Sequence, residues 1–114
     1  MIAEHEHEEP YLAICSALVE AGLVSSAALA HYGSVAQRLK CIEEMGEAIA
    51  ELARNENPET TMGELADVMV TMLAVVQDMG VQRFADVLSG KAGALRSRLA
   101  YEEPAPYARC ISWE

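Results

Sequence analysis

Residues 65–76 run LADVMVTMLAVV, and only Asp67 and Thr71 in that stretch are not apolar. Twelve such residues without alternation fit a helix better than a half-buried strand. A helix apolar on nearly every side is expected to be buried. An aspartate inside it must then be paired or bound to a cation. Thr61-x-x-Glu64 has the pattern of a capping box, so the helix is predicted to start at Thr61. Gly80 ends it. Glu64 lies three residues before Asp67, so the two carboxylates share a helix face.

Working outward, Gly33 stops one helix, and Ser34 with Gln37 resembles a second capping box. The helix that follows is predicted to reach about Arg54. Val35, Leu39, Ile42, Gly46, Ile49 and Ala53 recur at spacings of four and three and are taken as its core stripe. Gly46 costs about 1 kcal/mol relative to Ala in a helix, so close approach of a neighbouring backbone is the expected reason for it. Pro58 marks the linker at 55–60.

A fourth helix is expected from about Val81 to Ala100, weakened by Gly90 and Gly93. Upstream, 11–29 is helical with a break near Gly22 or Ser25-Ser26, and 27–32 is a short helical stretch. Residues 1–10 are expected to be a flexible acidic tail in which His5 and His7 are solvated. Residues 101–114, with Pro104 and Pro106, form an irregular tail whose Tyr107, Ile111 and Trp113 can dock on a helix or a second subunit. The expected fold is all-α, a helical bundle of about four to five helices over 11–100. The 65–76 helix is apolar on more faces than three short neighbours cover, so dimerisation is expected to complete the bundle.

Composition agrees. Of 114 residues, 52% are hydrophobic and only 5% aromatic, which suits a core of Ala, Leu, Val and Met on packed helices. A net charge of −10 with 8 Lys plus Arg argues against nucleic-acid polymers as partners. It leaves room for a nucleotide bridged by a divalent cation. No uninterrupted apolar run reaches the roughly 18 residues of a membrane span, and no basic n-region precedes an apolar one. The expectation is a cytoplasmic protein with no membrane partner. Cys15, Cys41 and Cys110 show no C-x-x-C spacing and are read as reduced thiols.

The chemistry lies in the carboxylates. Glu43-Glu44-Met45-Gly46-Glu47 carries Glu44 and Glu47 three apart, as Glu64 and Asp67 are. Four like charges brought together repel unless a cation sits between them, and an all-oxygen site favours a hard one. The plainer reading is a solvated face, in which Lys40 pairs with Glu44, Arg54 pairs with Glu51, and Glu64 only caps. Against it, Glu43/Glu47 and Glu47/Glu51 are like-charge i,i+4 pairs, and Asp67 has no structural excuse. The Glu-x-x-His pattern of a di-iron bundle is missing, since His31 lies outside both segments.

Glu43-Glu44-x-x-Glu47, followed after residues 48–63 by Glu64-x-x-Asp67, resembles the EExxE…ExxD signature of the MazG-like all-α nucleoside triphosphate pyrophosphatases, above all their small phage and prophage members. Ala28-Leu-Ala-His-Tyr-Gly33, Gln37 and Lys40 are similar to the segment that precedes that motif, and the likeness spans about 27–100. The resemblance implies a dimer or dimer of dimers that hydrolyses (deoxy)nucleoside triphosphates to monophosphate and pyrophosphate. It implies Glu44, Glu47, Glu64 and Asp67 as ligands of Mg²⁺ (or Mn²⁺). Glu43 and Glu47 become the catalytic carboxylates, and Lys40, Lys91 and Arg98 the cations for substrate phosphate. For His31, Tyr32, Gln37 and Trp113, core or cap roles are expected ahead of base contact. The alternative is a non-catalytic helical oligomer with a structural or metal-binding acidic cluster.

Overall fold

The computed structural model describes the backbone of residues 4–102 and the side chains of residues 9–102. Among the described residues there are four helices and no strand: α1 (Glu4–Tyr32), α2 (Ser34–Arg54), α3 (Pro58–Met79) and α4 (Val81–Leu99). The chain is all-α. It divides into two compact units, Met1–Asp78 and Met79–Glu114, so the 11–100 stretch is shared between them. His5 and His7 side chains, Cys110, Trp113 and the tail at 103–114 lie outside the described residues.

α1 departs most from expectation. It is a single helix of 29 residues that starts at Glu4, includes Pro10, and runs through Gly22 and Ser25-Ser26 without a break. The backbone from residue 4 to 10 is thus helical where a tail was expected. Serine weakens helices because its hydroxyl competes for nearby backbone groups. Here Ser25 Oγ instead donates to the Val70 carbonyl of α3 at 2.7 Å. Gln77 Nε2 donates to the Gly22 carbonyl at 2.8 Å. Descending positions on α1 meet ascending positions on α3, so the two helices run antiparallel.

The joints obey local chemistry, though not the capping boxes. Gly33 has φ 89° and ψ 165° and makes no side-chain cap, with Ser34 already helical. That conformation is essentially restricted to glycine. α2 ends at Asn55 in the left-handed region (φ 52°), whose N–H donates to the Glu51 carbonyl. α3 begins three residues before Thr61. Asn57 Oδ1 accepts from the backbone N–H of Glu59 at 2.9 Å, and Pro58 takes the first helical position. Asparagine is as good a cap as threonine, and proline favours that first turn, so Asn57-Pro58 wins. Thr61 donates its hydroxyl to the Asn57 carbonyl instead.

Inside the first unit, the buried side of α2 is Gln37, Cys41, Glu44 and Ala48. The expected core stripe lies two positions away, roughly 200° around the helix. Val35, Leu39, Ile42 and Ile49 are all exposed, Val35 by 69%. Nothing lies within 4 Å of where a Gly46 Cβ would stand, so no backbone approaches it among the described residues. α2 therefore buries a mixed line, two polar and two small apolar residues, and shows its large apolar side chains. α3 likewise buries only Thr61, Thr71, Ala74 and Val76, leaving Met62, Leu65, Met69 and Val70 exposed. The expectation that α3 is buried all round does not hold for the single chain.

The apolar surface extends to α1, where Tyr11, Leu12, Ile14, Val19, Leu23 and Val24 are exposed. Counting uninterrupted apolar residues passes over α1, because Glu20 divides it. By length and composition, however, its 24 residues Glu9–Tyr32, which include an 18-residue stretch with a mean hydropathy of 1.8, suffice to cross a membrane. In the second unit, α4 follows Gly80 (φ 125°) and continues unbroken through Gly90 and Gly93. Gln82 Nε2 donates to Asp86 Oδ1 at 3.1 Å.

Candidate metal centre

Glu44 and Glu47 are three apart on α2, and Glu64 faces them from α3. One carboxylate oxygen from each lies within 4.8 Å of the other two. A cation at about 2.1–2.6 Å from its oxygen ligands holds opposed oxygens roughly 4–5 Å apart. The spread already matches such a sphere, and the donors are all hard oxygens.

The three differ in surroundings. Glu44 is 7% exposed and Glu64 is half-buried, whereas Glu47 stands open to solvent. Glu44 Oε2 and Glu64 Oε2 are buried without a hydrogen-bond partner. An orphaned buried acceptor costs about 1–3 kcal/mol, and more when charged. The negative charge of Glu44 raises the Glu47 carboxyl above its ordinary value, with desolvation and the Glu64 charge adding to it. Like charges, orphaned oxygens and raised proton affinity all follow from crowded carboxylates, and a cation relieves all three.

Lys40 is the protein's partial answer. Its Nζ lies 3.1 Å from Glu44 Oε1 and 3.6 Å from Glu43 Oε2. Its pKa is raised, chiefly by the hydrogen bond to Glu44 and then by the Glu43 charge. The ammonium reaches Oε1 of Glu44 and leaves Oε2 without a partner. The expected Lys40–Glu44 and Arg54–Glu51 pairs both form, the second at 2.7 Å. Both are what the solvated-face reading expects; the burial of Glu44 is what it does not.

Other expected site residues stand elsewhere. Asp67 is exposed and outside the three-carboxylate group. The inward line of α3 is Thr61, Glu64, Val68 and Thr71, spaced three and four, and Asp67 flanks it. Its side chain is exposed, so burial does not force a cation on it, and its backbone carbonyl accepts the Thr71 hydroxyl at 2.9 Å. Glu43 is also outside the group, held near Lys40. Lys91 and Arg98 are exposed on α4 in the second unit, and their phosphate role rests on resemblance alone. Cys15 and Cys41 are free thiols, exposed and buried respectively.

A second feature was missed. A cavity of about 330 Å³ is lined by Tyr32, Ala36, Gln37 and Lys40. Gln37 is buried there rather than capping a helix. The signal was available, since Gln37 lies on the same four-three spacing as Cys41, Glu44 and Ala48. No family model, curated protein or solved structure matches this chain.

Proposed function

We propose that the chain is a cytoplasmic, Mg²⁺-dependent pyrophosphohydrolase that converts (deoxy)nucleoside triphosphates to monophosphate and pyrophosphate. The observation that carries the reading is the Glu44/Glu47/Glu64 cluster with its two orphaned oxygens. Those three residues would hold Mg²⁺ or Mn²⁺, with Asp67 at the edge as a fourth ligand once its side chain turns inward. Bound there, the cation supplies neutralisation of phosphate charge and acidification of water. Water attacks the α-phosphorus, a phosphorus–oxygen bond to the β-phosphate breaks, and pyrophosphate leaves. Glu47, the one carboxylate of the three open to solvent, is suited to accept the water proton, and Glu43 to orient the water. Lys40, already beside Glu44, supplies a positive charge for phosphate.

We also propose a homodimer or dimer of dimers. The exposed Val35, Leu39, Ile42 and Ile49 line, with open Gly46 in its midst, supports this. That same apolar surface favours the rival reading, a non-catalytic helical oligomer. Pyrophosphate release from a panel of (d)NTPs with Mg²⁺, against EDTA, separates the two. Release that EDTA abolishes supports the enzyme, and silence across canonical and modified nucleotides refutes it.

A further inference from the structure

We propose that the cavity lined by Tyr32, Ala36, Gln37 and Lys40 is a nucleobase subsite linked to the carboxylate cluster through Lys40, with the Gln37 amide reading the base edge and Tyr32 stacking on it. The inference rests on the nucleotide reading above and names the part of the site that selects the substrate.

Four observations converge on a planar heterocycle. At about 330 Å³ the cavity lies at the small end of ligand pockets, roughly 300–1,000 Å³, large enough for one nucleobase. Gln37 is buried, and no side-chain hydrogen bond among the described residues engages its amide. A carboxamide offers a donor and an acceptor side by side, which matches the amide-like edge of a base. Tyr32 is 64% exposed, and its ring is set edge-on to His31 at 4.6 Å and 90°. That contact orients an aromatic face on which any base can stack.

Lys40 lines the cavity and also reaches Glu44 at 3.1 Å. The site is thus laid out along one helix: Gln37 for the ring, Lys40 in between, and Glu44 for the cation. From Gln37 to Glu44 is about 10 Å of helix rise, a span that a sugar and its first phosphate can cover. The ammonium between them stands where the phosphate of a nucleotide seated in both places would pass.

The experiment uses the full chain and two arms. In EDTA, free nucleosides of each base and inorganic phosphate are titrated and followed by saturation-transfer NMR and calorimetry. At least one nucleoside should bind, weakened about fivefold or more by Tyr32→Ala or Gln37→Leu. Glu64→Gln should leave this binding intact. Because Gln37 is buried, Ala36→Trp, which fills the cavity from an exposed position, is the second variant, with circular dichroism reporting folding. With Mg²⁺, Tyr32→Ala, Gln37→Leu and Ala36→Trp should raise KM for the preferred base about tenfold and change kcat little.

Nucleosides that fail to bind, or that bind all variants equally, overturn the subsite. So does a response to inorganic phosphate alone. Hydrolysis whose KM ignores the three substitutions would overturn the subsite and leave the pyrophosphohydrolase standing. Nucleoside binding without hydrolysis would do the reverse.

Discussion

Glu64→Gln tests the physical core of the candidate site. Glu64 makes no ion pair among the described residues, so its removal leaves no cation uncompensated. It faces Glu44 with oxygens within 4.8 Å. Two unit charges at that separation repel by about 3.5 kcal/mol at an effective dielectric of ~20. Lys40 offsets part of this at Glu44, and water on the Glu47 side screens more. The metal-free variant should therefore gain about 1 kcal/mol, or roughly 3–6 °C in Tm for a chain of this size. The parent protein should gain about 2.7 kcal/mol from Mg²⁺ at a hundred times its Kd, and the variant should lose most of that gain. Thermal melts with EDTA and across a Mg²⁺ titration measure both quantities. A variant that melts lower without metal, or keeps the parental response to Mg²⁺, would refute the crowded-carboxylate argument. Asp67→Asn in the same assay tells a four-ligand site from a three-ligand one, by whether the Mg²⁺ response weakens.

Gly33→Ala should destabilise by about 1–3 kcal/mol through backbone strain alone, read as a lower urea midpoint, because its Cβ would meet no atom. Ile42→Lys should dissociate the assembly to monomers by light scattering, and a parent already monomeric at micromolar concentration would count against the oligomer. The Glu47 carboxyl is raised in the folded chain, so the folded state binds this proton more tightly than the unfolded state does. Its repulsive penalty is full above the raised value and fades as pH falls through it toward the ordinary carboxylate range. In EDTA, the Tm advantage of Glu47→Gln over the parent should hence be largest near neutrality and shrink on acidification. An advantage that grew with acid would reverse the sign and fail.

How much was legible before folding depended on the range of the physics. Proline, glycine and asparagine act over a few residues, so the helix breaks near Gly33, Pro58 and Gly80 and the all-α class followed from sequence. The three-residue spacing of Glu44 and Glu47 guaranteed a shared face on α2, because helical geometry is local. Capping was harder. Two candidate boxes lost to Gly33 and Asn57, since several residues compete for the same few orphan N–H groups.

Tertiary structure alone decided which face each helix turns inward. Periodicity states which residues go together, and the partner surface then selects the face. So α2 buries Gln37 and Glu44 while Ile42 and Ile49 stay out, and α3 turns Glu64 toward Glu44 while Asp67 flanks the line. For the same reason Ser25 carries α1 onward through a hydroxyl bond to Val70, 45 positions away, which no local pattern encodes. The carboxylates were written in the sequence; their meeting within 4.8 Å exists only because separate helices pack.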